Sequence, residues 1–412
     1  MKYRKRLLEK KLLEMSKFFK VVLVVGARQV GKSTLLKHVF PDLKVFVFDP
    51  LKDNYGAKSD PDLFLDSHNG PIILDEIQYA PQLLPALKRR VDMNEAPGQY
   101  FLTGSQNLTM LKGIAESLAG RVGILQLEGF TIYEEQEENV LYCWLENYLN
   151  SSNQFFATLK NKLFSKKNLV SHLWHGSMPG LLDAPDSMVP TYFSSYINTY
   201  LERDVRLFEN VKDLSLFHKF VSICGALTSQ EINSSHFARE IGVTPATARK
   251  WLDMLIQSYQ WLEIDPYFGN TIKRISGKKK GYLRDSGLAC NLQKISSPDA
   301  LAVSPHLGSF FETFVVNQLY RYALTMNVAP NFYHWRTGGG AEVDIVLERD
   351  GKLFPIEIKC KSVIAKRDLR GIKAFRETYP KNDISEALVI YAGKESYKTE
   401  KDITVIPWNL IS

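Results

Sequence analysis

Residues 26–33 read Gly-Ala-Arg-Gln-Val-Gly-Lys-Ser, directly after the apolar run Val21–Val25 and directly before the helix-like stretch Thr34–Phe40. Two glycines with four residues between them, then Lys and Ser, at a junction from strand to helix, spell a phosphate-binding loop. Gly26 and Gly31 allow backbone angles that turn the N–H groups of Ala27, Arg28, Gln29 and Val30 toward phosphate oxygens. The helix beginning at Lys32, Ser33 and Thr34 adds its positive end. Lys32 then reaches the β- and γ-phosphates, and the Ser33 hydroxyl joins a Mg²⁺ shell. A glycine-rich turn that binds nothing is the plain alternative, and the strand before and helix after the loop argue against it. The expected cofactors are ATP and Mg²⁺.

Around this loop, apolar β-branched segments alternate with helical patterns. Strands are expected near 21–25, 44–48, 71–75, 99–103 and 123–127, with helices over 32–39, 61–68, 82–93 and 107–119. Such alternation predicts a parallel sheet covered by helices on both faces. The third strand ends Ile72-Ile73-Leu74-Asp75-Glu76. Asp75 is the expected Mg²⁺ partner, and Glu76 is placed to polarise an attacking water. The alternative for these two is a helix N-cap and a first-turn acid. The fourth strand ends Phe101-Leu102-Thr103-Gly104-Ser105. If it lies between the first and third strands, a polar tip residue faces the γ-phosphate. Ser105 is the first candidate and Thr103 the second, although either could simply cap the next helix.

An acid directly after the strand-ending Asp, with a polar residue on the next strand, resembles the additional-strand class of P-loop ATPases and, within it, the AAA type. That resemblance implies that Arg121, in Leu118-Ala119-Gly120-Arg121, senses the γ-phosphate either in cis or from a neighbouring subunit of a homo-oligomer.

Composition sets outer bounds. The chain has 412 residues, long enough for several domains, with 45% hydrophobic and 24% charged residues, as in ordinary globular proteins. No apolar run approaches the length of a membrane span, so no integral membrane association is expected, and the basic N-terminus lacks a signal-peptide core. The Lys, Leu and Phe of residues 2–20 suit an amphipathic helix that packs on the ATPase or lies on a membrane surface. Cys143, Cys224, Cys290 and Cys360 form no CxxC pair, which suits a reducing, cytoplasmic setting. His172 and His175 form a lone HxxH without a matching third ligand. The net charge of +7 permits a polyanionic partner without demanding one.

In the middle of the chain, Pro190–Phe208 repeats apolar residues at three- and four-residue steps, a helix stripe for core packing; Glu202-Arg203-Asp204 is read as its polar edge. Ser234–Ile241, Gly242-Val243-Thr244 and Pro245–Ile256 have helix-turn-helix spacing. The second helix exposes Thr247, Arg249 and Lys250. Downstream, Lys273, Arg274, Lys278, Lys279, Lys280 and Arg284 occur in 273–284 with no acid between them. A basic hairpin in that place looks like the wing of a winged-helix domain. DNA is then the expected partner through 244–250 and 273–284, with a protein-contact module as the alternative.

Further on, Glu342–Leu347 and Leu353–Lys359 flank Asp350-Gly351, a favoured two-residue hairpin turn. In that register Arg349 faces Lys352, Asp344 lies opposite Glu357, and Glu342 lies opposite Lys359. All four share one face. Two directly opposed carboxylates repel, and a divalent cation would offset the repulsion. The alternative is a structural hairpin with a Glu342–Lys359 salt bridge and Asp344 facing solvent. The spelling Asp, then Glu-x-Lys, resembles the PD-(D/E)xK nucleases. The resemblance implies Mg²⁺ on Asp344 and Glu357, Lys359 activating water, and Glu312 as an additional acid from the first helix. Val343 stands where that pattern has Pro. A helix over Ala365–Thr378 and a strand over Glu386–Tyr391 are expected to continue this core.

Along its whole length the chain resembles a prokaryotic family of AAA-type ATP-binding proteins with a C-terminal region of unknown function. The resemblance runs from Ala27-Arg28-Gln29-Val30 through Tyr200-Leu201-Glu202-Arg203-Asp204 to Ala341-Glu342-Val343-Asp344. The expected organisation is a multidomain α/β chain, with a P-loop ATPase over 1–133, a helical linker or lid over 134–227, a winged-helix-like segment over 228–290 and a nuclease-like α/β domain over 291–412. Two functions fit it: an Mg²⁺-dependent ATPase controlling a DNA-contacting C-terminal half that could cleave nucleic acid, or a nucleotide switch whose C-terminal half binds proteins.

Overall fold

The computed structural model describes residues 3–105, 114, 117–135, 144–159, 167–201, 213–400 and 402–410. Most of the helix expected over 107–119, Glu202-Arg203-Asp204 and Cys143 lie outside the described residues. By contact density the chain divides into two units, Met1–Phe130 with Gln257–Tyr259, and Thr131–Ile256 with Gln260–Ser412.

The first unit holds a parallel five-stranded sheet of β1 (Val21–Val25), β2 (Lys44–Val47), β3 (Ile72–Asp75), β4 (Tyr100–Gly104) and β5 (Val122–Gln126), in the order β2-β3-β4-β1-β5. A run of five β-branched or leucine residues in β1 is buried throughout, as a strand covered on both faces must be. One covering helix is Glu9–Ser16, which seats Leu12 in the core. The N-terminal segment thus packs on the first sheet, in line with the first of the two readings of its amphipathic pattern. Helix Leu83–Met93 contributes Leu83, Leu84, Ala86, Leu87 and Val91 to the core. Each fully buried leucine stabilises the fold by about 2 kcal/mol. Because β4 lies between β3 and β1, the carboxyl ends of three neighbouring strands, at Asp75, Gly104 and Val25, form one rim.

The second unit carries a mixed sheet, β13-β14-β12-β11-β10-β9-β7-β8-β6 among the described residues. Its strands are β6 (Gln230–Glu231), β7 (Trp261–Pro266), β8 (Lys280–Leu283), β9 (Asn331–Arg336), β10 (Glu342–Arg349), β11 (Lys352–Lys359), β12 (Ala387–Tyr391), β13 (Tyr397–Glu400) and β14 (Ile403–Pro407). The helix pair Ser234–Ile241 and Pro245–Gln257 is joined through Gly242 at φ 81°, and the Thr244 hydroxyl accepts the Thr247 N–H. In place of a plain basic hairpin, a short helix, Thr271–Ser276, stands between β7 and β8. β7 also pairs with β9 through Asp265–Tyr333 and Pro266–His334. The strands of the two segments expected to be separate, 228–290 and 291–412, therefore share one sheet. At the expected turn Asp350 and Gly351 both have positive φ, as a tight hairpin with matched twist requires, and Arg349 pairs with Lys352. Helix Arg370–Thr378 crosses the β10–β11 hairpin. Gly371 is required there, since a Cβ would lie 1.7 Å from the Glu342 carbonyl oxygen and 2.6 Å from Glu357 Oε1.

Candidate functional site

The rim of the first sheet gathers the nucleotide-motif residues. Gly26 has φ 146°, and a side chain there would strike the Leu127 carbonyl oxygen at 2.0 Å, so the loop's start admits only glycine. Gly31 at φ 95° turns the chain into helix Lys32–Val39. Lys32 is buried, and its Nζ donates to the carbonyl oxygens of Gly26 and Ala27 at 3.0 and 2.8 Å, curling back over the loop. Ser33 Oγ donates to Asp75 Oδ1 at 2.6 Å, and the Thr103 hydroxyl donates to the same oxygen. A hydroxyl and a carboxylate this close at the end of two elements are the donor set that suits Mg²⁺, a hard cation that takes oxygen ligands. These residues fit the ion.

Glu76 follows with φ 59°, ψ 47°, a left-handed conformation that is costly for a non-glycine residue. Its N–H donates to Thr103 Oγ1 at 3.0 Å, and its carboxylate accepts from Gln78 Nε2 and from Ser105 Oγ at 3.4 Å. Gln78 Nε2 also reaches Ser105 Oγ at 3.2 Å. Ser105 thus stands at the Glu76 carboxylate and Thr103 at Asp75. Gln78 was not anticipated; its position two residues past the acid was the available signal. Arg6 was missed as well. Its buried guanidinium donates to the carbonyls of Val30 and Glu128 at 2.9 and 2.6 Å and lies 4.7 Å from the Phe130 ring, bracing the loop from outside. Arg28 reaches the Tyr79 hydroxyl at 3.2 Å.

For Arg121, only the expectation of a role toward its own chain's nucleotide is corrected. It pairs with Asp92, and its carbonyl accepts from Val21 N at the start of β1. The loop follows the other end of β1, five strand residues or roughly 16 Å away. Arg121 therefore does not sense the γ-phosphate of its own chain.

A model of an AAA domain matches residues 18–136, and two models of domains of unknown function, DUF8612 and DUF4143, match residues 166–299 and 307–411. The N-terminal unit is similar to AAA domains over residues 18–130. Uncharacterized proteins of Mycobacterium tuberculosis and Mycobacterium bovis are each 28% identical over 389 residues, 94% of this chain and 80% of theirs. Among solved structures, a Walker-type ATPase of Pyrococcus abyssi is 14% identical with a TM-score of 0.42, covering 69% of this chain and 94% of that one. The Holliday junction branch migration motor of Thermotoga maritima is 15% identical with a TM-score of 0.31, covering 63% and 89%. Among the described residues no helix is long and apolar enough to cross a membrane.

The second unit brings Glu312, Asp344, Glu357 and Lys359 together. Glu312 lies on helix Leu307–Thr325, the others on β10 and β11. Asp344 Oδ2 accepts from the Ile358 N–H at 2.8 Å and from Lys359 Nζ at 3.3 Å, while Lys359 Nζ is 3.0 Å from Glu357 Oε2. Lys280, from β8, is 2.6 Å from Glu312 Oε1 and 3.8 Å from Asp344 Oδ1. Burial raises the Asp344 pKa, but Lys359, Lys280 and the Ile358 amide outweigh it and hold the acid at about 2. Burial and the neighbouring Asp344 charge push Glu357 well above the usual carboxylate range. Burial brings Glu312 up to about 7 despite Lys280 and the Tyr282 hydroxyl.

Two expectations change here. The Mg²⁺ expected on Asp344 and Glu357 does not fit this arrangement, because the Lys359 ammonium already lies between those two acids, and the Lys280 ammonium takes the other side of Asp344. No group of three or more His, Cys, Asp or Glu among the described residues is arranged to hold a metal. The salt-bridged alternative fails too. Asp344 is buried, and Lys359 reaches across to it while half-exposed Glu342 lies 4.0 Å from Arg336.

The basic stretch 273–284 is also largely spent. Arg274 pairs with Glu348 and stacks on Tyr267, Lys279 pairs with Glu263 and Asp265, and buried Arg284 lies over Tyr320. On the second helix of the pair, Arg249 binds Asp253 and Glu263. Lys250, Lys273 and Lys278 remain exposed. His175 pairs with Asp186 at 2.7 Å, while burial lowers His172 to about 3, the behaviour of core histidines rather than metal ligands.

Proposed function

We propose that the chain hydrolyses ATP with Mg²⁺ and that its nucleotide state governs what the C-terminal half does. The observation that carries the reading is the rim where Ser33 meets Asp75 and Glu76 is held beside Ser105. Backbone N–H groups of 27–31 and Lys32 bind the phosphates, Lys32 exchanging its two carbonyl partners for phosphate oxygens. Ser33 and Asp75 would hold the Mg²⁺, which when bound would supply positive charge toward the phosphates. Glu76 orients and polarises the attacking water, with Gln78 and Ser105 fixing its carboxylate. In Glu76→Gln, ATP binding is expected to persist while turnover falls about 10²- to 10⁴-fold. Undiminished hydrolysis in that variant removes the assignment. Arg121 contributes only if a second copy presents it, so molar mass measured with and without ATP tests that role.

For the C-terminal half the pairing of the basic residues favours a protein-binding switch over a DNA-contacting module. DNA contact is the second reading and rests on Lys250, Lys273 and Lys278. Nucleolytic activity belongs to that second reading and requires the carboxylate cluster to accept a metal.

A further inference from the structure

We infer that Lys280 acts as a built-in cation in the place a divalent metal would take between Glu312 and Asp344, and that strand β8 keeps the carboxylate cluster closed to metal. The inference is independent of ATP hydrolysis. Lys280 is the first residue of β8 and is buried, although lysine rarely is unless paired. Tyr282, two residues on and therefore on the same face of the strand, donates to the same oxygen, Glu312 Oε1, at 2.9 Å. Two side chains from β8 thus converge on one carboxylate oxygen. Beyond it, Lys280 Nζ faces Asp344 Oδ1, while Asp344 Oδ2 is already taken by the Ile358 amide and Lys359.

The three acids are bridged by two ammoniums in a row: Glu312, Lys280, Asp344, Lys359, Glu357. A hard divalent ion needs about six oxygen ligands. It would have to enter between charges of its own sign and strip Lys280 from Glu312. β8 is not part of the acid-bearing hairpin. It pairs with β7 and β6, which flank the helix-turn-helix segment. Whatever moves that segment also moves the ammonium, so access of metal to the acids is set from outside the hairpin that bears two of them.

The test is Mn²⁺ binding to the full chain without nucleotide, followed by the electron paramagnetic resonance of free Mn²⁺. Every protein carries Asp75→Asn to silence the nucleotide-loop position. With Lys280 intact, no Mn²⁺ site that Asp344→Asn removes is expected. Lys280→Met is expected to gain one such site, at least ten-fold tighter than any residual binding, and to lose it again when Asp344→Asn is added. An Asp344-dependent Mn²⁺ site in the protein with Lys280 intact overturns the inference. So does a folded Lys280→Met protein that gains no site. If Lys280→Met does not fold, Lys280→Gln is measured against the same two outcomes, and the comparison with Lys280 intact decides by itself.

Discussion

Asp75 and Asp344 are equally buried, each with 4% of its surface exposed, and they keep opposite company. Asp75 meets the hydroxyls of Ser33 and Thr103, neutral partners that leave its charge available to an incoming cation. Asp344 meets Lys359 and Lys280, which have already used that charge. The same contrast separates the lysines. Lys32 rests on backbone carbonyls that it can release for phosphate, whereas Lys280 and Lys359 rest on carboxylates. Residue type alone does not distinguish a metal site from an ion-pair cluster. The partner of each charge does.

The largest expected effect lies on the open side of this contrast. Lys32→Ala should weaken ATP binding by at least about 100-fold, measured by calorimetric titration, because its ammonium is the one folded back over the loop. Near-normal affinity would mean that the loop amides carry the phosphates alone.

On the closed side, Asp344→Asn leaves buried Lys280 and partly buried Lys359 short of charge and should cost about 3 kcal/mol of stability without metal. All six tryptophans, Trp144, Trp174, Trp251, Trp261, Trp335 and Trp408, fall in the second unit, so their emission in a denaturant titration reads that unit alone. Equal or higher stability would show that repulsion between Asp344 and Glu357 outweighs their pairing with lysine, and the contrast would collapse.

A smaller effect follows from Glu312, whose folded pKa of about 7 lies above its ordinary 4.5. Between those values the folded form holds a proton that the unfolded chain has released, so the Glu312 contribution to stability should fall as pH rises from about 4.5 to about 7, by on the order of 1–3 kcal/mol. Asp344, held at about 2, weakens the fold only below the ordinary carboxylate range, outside this window. Buried His172 and His334, lowered to about 3 and about 4, gain stability over the same window and Glu357 loses it, so the Glu312 effect is read as a difference: relative to Glu312→Gln, the tryptophan-detected midpoint of the parent should fall as pH rises. A parent that gains on the variant as pH rises would contradict the burial-driven shift.

The smallest effect concerns DNA. With Lys250, Lys273 and Lys278 as the exposed cations of the two expected contact stretches, a DNA complex would neutralise about three phosphates, and the logarithm of affinity should fall with the logarithm of salt at a slope near −3. A slope twice as steep would show that the internally paired residues come free on binding.

Much of this contrast was legible in the chain. The five strands of the first sheet followed from alternation, whereas the place of β4 between β3 and β1 entered only as a condition and was supplied by the structure. The two-residue turn at Asp350-Gly351 fixed the hairpin register, so Asp344 and Glu357 could be placed together. What escaped was long-range pairing. Residues 273–284 contain no acid, and nothing local announces that Glu263, Asp265, Glu312, Asp344 and Glu348 arrive from other elements to meet them. Lys280 was legible as a charge but not as the neighbour of two acids. Arg121 is different, because its place just before β5 already put it at the amino end of a parallel sheet, away from a loop that follows a carboxyl end. That signal was present and was outweighed by the resemblance of a short motif.

If Glu76 polarises the attacking water as proposed, its left-handed backbone sets folding and turnover against each other at one torsion angle. Glycine or asparagine would occupy φ 59° with less strain, so a chain selected for robustness alone would carry one of them there. A thermostability screen that ignores activity should therefore enrich substitutions at this position, and the enriched proteins should be sturdier and catalytically silent.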